Sequence, residues 1–330
     1  ATTGAPTVLM TPAFPPSRRS VRDGVLYVDG VPLAESDVGR DPRTPAHESF
    51  VPALLRRQTE LPVETLALPL VRGGGSQLVA RLRGLAQGIV VADAETPADL
   101  ALIARAVIDA GFLHAVSGSA GLAGELSALL QRSSALARRD LPSIDRRVLA
   151  IIGSPHSVAR AQLERAGGRV VTLPAERGGP PRHVSMEDAG GQLIEALRED
   201  HLAILCPPPL EDATPAADAA EATAAALAHL AWRLRDPSAI HGKRLVQAVV
   251  VSGGDVAAAL CERLRTDHIE LIDQVFPGAP LGILRGGAWD GVPIVTKSGA
   301  HGGEDGLLQI VERLRGGSPE RTTAAPRARS

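Results

Sequence analysis

The run Pro293-Ile294-Val295-Thr296-Lys297-Ser298-Gly299-Ala300-His301-Gly302-Gly303 is an apolar strand leading straight into a glycine-rich turn that carries a lysine. Closely spaced glycines leave backbone N–H groups uncovered, and several such groups with one ammonium can hold a phosphate. The lysine stands out in this chain, because of 35 basic residues only Lys243 and Lys297 are lysines. A compact ammonium on a mobile stem suits phosphate contact better than a planar guanidinium fork. A tight loop with an exposed lysine is the other reading of the same residues.

Two further junctions in the same half have this form. The strand at 147–152 runs into Gly153-Ser154-Pro155-His156-Ser157 and a helix at 157–167, and the strand at 245–251 runs into Ser252-Gly253-Gly254-Asp255 and a helix at 256–265. In a parallel sheet all three junctions face one edge, which is where open α/β sheets bind their ligands. Three convergent anion-seeking turns point to a polyphosphate. The Walker pattern GxxxxGK[ST] is absent, as is GxGxxG after the first strand of either half, so neither a P-loop nor an ordinary dinucleotide fold is expected. A serine hydrolase is disfavoured by the lack of GxSxG. Asp255 is placed either to coordinate Mg²⁺ through water or to cap its own helix. His114, His156 and His301 have no metal-ligand spacing, and no protein metal site is expected.

The elements that must position these residues alternate. In the first half the pattern reads as a strand at 7–10 stopped by prolines, a hairpin over 24–31 turning at Asp29-Gly30, and a helix at 47–58. A strand at 65–69, a helix at 75–86, a strand at 88–92, a helix at 97–110 and a short strand at 113–116 follow. Asp93, at the end of the strand Gly88–Ala92, faces a ligand or caps the loop that follows. Gly118-Ser119-Ala120-Gly121-Leu122-Ala123 brings backbone close to a ligand or neighbouring domain, or packs a helix against a strand. The Arg-rich stretch 131–146 reads as a linker. Beyond it come the strand at 147–152 and its helix, strands at 170–173 and 202–205, a Gly/Pro-rich loop at 174–185, an alanine-rich helix at 213–235, and a helix at 304–315 after the last strand. The fold class expected is α/β in two domains, each a mostly parallel sheet flanked by helices, with boundaries at 1–142 and 143–318 and a disordered tail at 319–330.

Composition narrows the partners. The 330 residues are 44% hydrophobic but only 2% aromatic, so bases would find almost no stacking platforms. A net charge of −2 attracts neither a nucleic-acid backbone nor an anionic membrane. Cys206 and Cys261, 55 residues apart, read as reduced core thiols. No apolar run of 18 residues and no leader pattern occurs, so a cytoplasmic protein acting on small molecules is expected.

A set of motifs then appears in a recognisable order: Pro12-Ala13-Phe14-Pro15, Val21-Arg22-Asp23-Gly24-Val25, Asp41-Pro42, Asp93-Ala94, Asp99-Leu100, Gly118 to Ala123, Ser252 to Asp255, Pro277 to Gly282 and Lys297-Ser298-Gly299. In this order the chain resembles the four-carbon acid sugar kinases. The resemblance implies an ATP-dependent kinase, with Mg²⁺, that phosphorylates the terminal hydroxyl of threonate, erythronate or a 3-oxo-tetronate. It implies an N-terminal sugar-acid domain, a C-terminal nucleotide domain with a ligand cleft between them, and ATP contacts at Ser154, Gly253, Gly254, Asp255, Val256 and Gly299. Lys297 is a further phosphate contact, Arg19 a candidate for the substrate carboxylate, and a homodimer is allowed. The family's Asp-Asp-x-Thr-Gly-Ala and Lys-x-Asp-Ser-Thr-Leu-Arg-Gly segments are not in this sequence, whose match to the family pattern begins at Thr7. The first part of the N-terminal domain, with the catalytic base, is therefore expected to be missing, and no catalytic residue is assigned. The alternative is a truncated, non-catalytic module that binds a nucleotide or sugar acid.

Overall fold

The computed structural model describes residues 7–41, 44–85, 87–130, 146–154, 156–173, 183–208, 217–235, 244–299 and 301–316. They fall into two compact units, Ala1–Leu136 and Ala137–Ser330. The expected boundary at 142/143, nearly all of the linker at 131–146 and the tail at 319–330 lie outside the described residues.

The first unit runs β1 (Thr7–Thr11), β2 (Arg19–Arg22), β3 (Val25–Val28), β4 (Val31–Pro32), α1 (Val51–Arg56), β5 (Val63–Leu66), α2 (Leu68–Gly73), α3 (Gly75–Arg83), β6 (Gly88–Ala92), α4 (Pro97–Ala110), β7 (Val116–Gly118) and α5 (Ala120–Leu130). Its main sheet has the order β5-β6-β1-β7, with every pairing parallel. One core packs Leu9, Val90 and Val91 of the sheet with Leu78, Ile103, Val107 and Leu122 of the helices. The strand expected at 65–69 ends at Leu66, because Pro69 sits in the first turn of α2, where a missing N–H costs nothing. Residues 113–115 form a 3-10 turn before β7 rather than a strand.

A small antiparallel sheet, β2-β3-β4, is built on two Asp-Gly turns. Asp23 and Gly24 have φ of 51° and 74°, and Asp29 and Gly30 have 54° and 79°, the positive pair a two-residue hairpin requires. Only the second of these turns was expected. The first is held by Asp93, whose carboxylate accepts from Asp23 N at 2.8 Å and Gly24 N at 2.9 Å. Asp93 is fully buried, and burial raises its pKa against the pull of those backbone donors. Full burial keeps it from facing a ligand, and the turn it fastens is Asp23-Gly24, about 70 residues earlier in the chain, not the loop that follows it. Gly118 and Gly121 likewise serve packing: a Cβ on Gly118 would lie 2.9 Å from Leu122 Cδ2, and one on Gly121 would lie 2.8 Å from Leu100 Cδ1.

The second unit runs β8 (Val148–Ile152), α6 (Ser157–Arg165), β9 (Arg169–Thr172), α7 (His183–Glu199), β10 (Leu202–Cys206), α8 (Ala217–Arg233), β11 (Ala248–Ser252), α9 (Gly254–Leu264), β12 (His268–Gln274), β13 (Pro280–Arg285), β14 (Pro293–Lys297) and α10 (Gly306–Leu314). The seven strands are ordered β12-β13-β14-β11-β8-β10-β9. From β14 to β9 the neighbours are parallel, and β13 pairs antiparallel with both β12 and β14. Every residue of β8, β10 and β11 is buried, as expected for strands covered on both faces. Alternate residues divide between two cores. Leu149, Ile151, Val249 and Val251 pack with α7, α8 and α9, whereas Val148, Ala150, Ile152 and Val250 pack with α6 and α10.

Two features of this unit differ from expectation. The loop expected at 174–185 stops by 183, where α7 starts; residues 174–182 lie outside the described residues. Gly190-Gly191 in mid-helix weakens the helical signal by about 1 kcal/mol per residue, and packing of Leu193, Ala196 and Leu197 overrides it. The hairpin β12–β13 was not expected, and it makes the sheet mixed.

Two stability predictions follow from the buried carboxylates. Asp93→Asn removes the charge and replaces one of the two accepting oxygens with an NH2 that cannot accept, and is expected to lower the unfolding free energy by about 2 kcal/mol in urea titration. Asp99 accepts from Arg72 Nε at 2.9 Å and, with Thr96, forms the capping box of α4. Burial alone would raise its pKa, but Arg72 and the backbone donors outweigh burial and hold it at about 2, below the ordinary carboxylate value of 3.8. A depressed carboxyl contributes stability above the unfolded value that is lost as pH falls through the folded one. The wild-type chain should therefore lose stability between about pH 4 and 2 more steeply than Asp99→Asn.

Candidate functional site

The three junctions singled out in the second unit follow three adjacent parallel strands. Ser252 of β11 stands opposite Lys297 of β14 on one side and Ile152 of β8 on the other. The ladder runs one residue further, with Gly153 N donating to Ser252 O at 2.9 Å and Gly253 N donating to Lys297 O at 3.0 Å. Beyond that row the three chains turn away from the sheet. Gly253 does so at a φ of 119°, a conformation closed to L side chains, and α9 begins at the next residue.

The junctions come into direct contact. A Cβ on Gly299 would lie 1.8 Å from Ser154 Oγ and 2.4 Å from its Cβ, so only glycine fits there. A Cβ on Gly253 would lie 3.6 Å from Ser154 N. A Cβ on Gly254 meets no atom of the described residues within 4 Å, so this position at the start of α9 is open among them. Ser154, Gly253, Gly254, Asp255, Val256 and Gly299 are thus gathered at one rim, with Val256 turned into the core beneath Gly153. Ser154 Oγ accepts from His156 N at 3.3 Å, which leaves its hydroxyl proton to be donated elsewhere.

The helix starts at this edge are treated differently. His156 Nδ1 accepts from Val158 N at 3.3 Å and caps α6. At α9 the N-cap is Gly253, which makes no side-chain cap bond. Asp255 lies in the first turn of α9, inside the helix rather than at its N-cap position. An uncapped helix N-terminus of 11 residues presents N–H groups and the positive end of a dipole.

Lys297 is 4% exposed, which excludes the exposed-lysine reading. Its Nζ donates to Ser298 O at 3.1 Å. Burial pushes its pKa down to about 8, so the ammonium is charged at neutral pH but sparsely solvated, a state that an anion would stabilise. Nearby, Ser252 Oγ is buried without a hydrogen-bond partner among the described residues. A pocket of about 480 Å³ opens between α9 and the β12–β13 hairpin, lined by Gly253, Gly254, Ala257, Ala258, Cys261, Ile269, Gly278, Pro280, Thr296, Lys297, Ser298 and His301.

Sequence reasoning missed the residues that brace this rim. Gln162 of α6 is buried, and its Nε2 donates to His301 O at 3.2 Å and to Gly303 O at 2.7 Å, fixing the turn after β14. The available signal was a carboxamide three residues after Ala159, on the buried stripe of α6 where an apolar residue is expected. Gly278 lies so close to His301 that a Cβ would be 2.4 Å from its Nδ1.

Arg19 sits in the other unit, on β2, and pairs with Val28. Burial lowers its pKa and the charge of Asp29 partly opposes this. Cys206 and Cys261 are both free thiols, the first buried and the second partly so. Among the described residues no group of three His, Cys, Asp or Glu side chains could hold a metal ion. No described helix is long and apolar enough to cross a membrane.

Comparison with known proteins agrees with this division of labour. Residues 1–126 match the model of a sugar-binding N-terminal domain, and residues 149–307 match that of a nucleotide-binding C-terminal domain. A D-threonate kinase of Bordetella bronchiseptica is 33% identical over 317 residues, 93% of this chain and 70% of that protein. A D-erythronate kinase of Heliobacterium modesticaldum is 31% identical over 325 residues, 92% of this chain and 71% of that protein. A 3-oxo-tetronate kinase of Methylobacterium radiotolerans is 29% identical over 322 residues, 92% of this chain and 72% of that protein. A crystal structure from Salmonella typhimurium LT2 shares the fold with a TM-score of 0.69 at 20% identity, covering 94% of this chain and 74% of that one. Two matched domains in the right order, and relatives of this identity along nearly the whole sequence, establish that the chain belongs to the four-carbon acid sugar kinase family.

Proposed function

We propose that the protein transfers the γ-phosphoryl group of ATP to the terminal hydroxyl of a four-carbon sugar acid of the threonate, erythronate or 3-oxo-tetronate type. The observation that carries this reading is the meeting of Ser154, Gly253, Gly254 and Gly299 at one rim beside the buried ammonium of Lys297. Phosphoryl transfer asks a protein mainly to position two reactants and to offset charge on the phosphate oxygens. Here the backbone N–H groups at the start of α9 and at Gly299 take the phosphates, the Ser154 hydroxyl donates a hydrogen bond, and Lys297 supplies positive charge from below. The open space over Gly254 leaves room for an anion that any larger residue would obstruct.

The residues present also fit a magnesium nucleotide. Asp255, in the first turn of α9, is the residue that would hold the water shell of a magnesium ion, which would offset charge on the phosphates. The acceptor belongs to the first unit, whose sequence matches a sugar-binding domain. Arg19 is the residue assigned to its carboxylate, since a guanidinium can grip a carboxylate with two parallel hydrogen bonds. A reaction that consumes ATP fits a cytoplasmic protein, and a homodimer is the assembly to look for by light scattering.

Gly254→Val adds a side chain where nothing stands within 4 Å, so the fold should be unaffected while the rim is blocked. ATP affinity measured by calorimetry is expected to fall about 100-fold or more, near 2.7 kcal/mol, with thermal stability unchanged. Unchanged affinity would refute the assignment, and a coupled kinase assay over a panel of tetronates identifies the acceptor. Lys297 gives a pH signature. Its proton favours anion binding, so ATP affinity should hold up to about pH 8 and then decline by up to about one log unit per pH unit. Lys297→Met should bind ATP weakly with no such decline. The buried lysine also costs stability while charged, so the wild-type chain should gain stability as pH rises from about 8 toward 10.5, and Lys297→Met should not.

A further inference from the structure

We infer that the outer edge of β12 is the surface on which two copies of this chain associate, pairing antiparallel about a two-fold axis at Leu271 so that two seven-stranded sheets become one. This deepens the homodimer proposed above by naming its surface, and it is independent of the phosphate rim. β12 is the outermost strand of its sheet and pairs with β13 alone. Edge strands are ordinarily kept short or guarded by lysine, proline or inward charge, because their outer N–H and C=O groups are a template for another strand. β12 has seven residues, more than any other described strand, and contains no lysine, arginine or proline. It spans about 23 Å at about 3.3 Å per residue.

The edge carries an apolar residue at its centre and little unspent charge. Leu271, the fourth of the seven, is 69% exposed, against 47% for Val170, the next most exposed large apolar side chain among the described residues. Ile269, on the same face, packs on the α9 side of the sheet, so Leu271 carries that apolar surface out to the edge. Both carboxylates of the strand are held by arginines of their own unit. Glu270 accepts from Arg285 Nε at 2.8 Å, and Asp273 lies 3.5 Å from Arg313 Nη2. Neither is left to repel a second strand.

The order of residues selects a second copy as the partner. With the axis at Leu271, antiparallel pairing sets Leu271 against Leu271, Glu270 against Ile272, Ile269 against Asp273 and His268 against Gln274. No carboxylate meets a carboxylate, and the imidazole of each copy comes to the Asp273–Gln274 end of the other. A parallel pairing in register would instead set Glu270 beside Glu270 and Asp273 beside Asp273. The register shift within β12 lies between Leu271 and Asp273, so His268–Leu271 stays regular in each copy.

A seam one strand wide is small for a protein interface, so the dimer should form at micromolar concentration. Light scattering on the full chain is expected to rise from the mass of one copy toward that of two between about 1 and 100 μM. Leu271→Lys places two ammonium groups face to face at the axis and should weaken association about 10-fold or more. Leu113→Lys, at an apolar residue 45% exposed in the first unit, should associate as the wild type does. In a second measurement, a short bis-maleimide should join Leu271→Cys into a covalent dimer, residue 271 to residue 271 by peptide mass spectrometry. A wild-type chain that stays monomeric at about 100 μM would overturn both the homodimer and its surface. A dimer that Leu271→Lys leaves intact, or one that the cross-linker does not join at position 271, would overturn the surface alone.

Discussion

The contact between Gly299 and Ser154 governs the second unit. A single added carbon at Gly299 would fall on the Ser154 side chain, so the turn after β14 can approach the turn after β8 only where it carries no side chain of its own. Gly153 N is spent on the ladder and His156 N on Ser154 Oγ, so the donors this edge offers an anion include those at the start of α9 and the Ser154 hydroxyl. The sheet enforces the meeting, since β14, β11 and β8 are consecutive parallel neighbours and Lys297, Ser252 and Ile152 stand in one row. Parallel pairing sends all three chains out of the same edge, and right-handed crossovers put α6 and α10 on one face and α9 on the other.

Burial of the strands is what makes that edge rigid. β8 and β11 contribute wholly buried residues to both cores, so their ends cannot shift without opening one of them. Lys297 is caught in this frame. It ends a strand that cannot move, and the resulting desolvation is the source of its depressed pKa. Gln162 secures the turn beyond it from α6, and the hairpin β12–β13 adds the wall that converts an open edge into a pocket.

The parts of this arrangement that sequence reveals are those carried by short-range pattern. Unbroken apolar runs such as Val148–Ile152 and Ala248–Ser252 announce central strands, and each is followed at once by glycine or serine and a helical repeat. The capping box at Thr96 and the Asp29-Gly30 turn are equally local. What stayed hidden depends on distant partners. Asp93 looked as able to face a ligand as to fasten a loop, because its two donors lie about 70 residues away in the chain. Gly190-Gly191 masked α7, whose stability comes from packing on the sheet. The hairpin β12–β13 is half exposed at a sheet edge, so it lacks the apolar runs that mark the interior. Without that hairpin the pocket could not be anticipated, although Gly253, Gly254 and Lys297 on its border were named from the sequence.

The central claim is that a triphosphate rests on the bare backbone where three adjacent strands end. A crystal structure of the protein with magnesium and a non-hydrolysable ATP analogue tests it most directly. The account predicts phosphate oxygens within hydrogen-bond reach, about 2.7–3.2 Å, of the backbone nitrogens of Gly254 and Gly299 and of Lys297 Nζ. Phosphates bound anywhere else on the molecule, with that rim left to solvent, would contradict it.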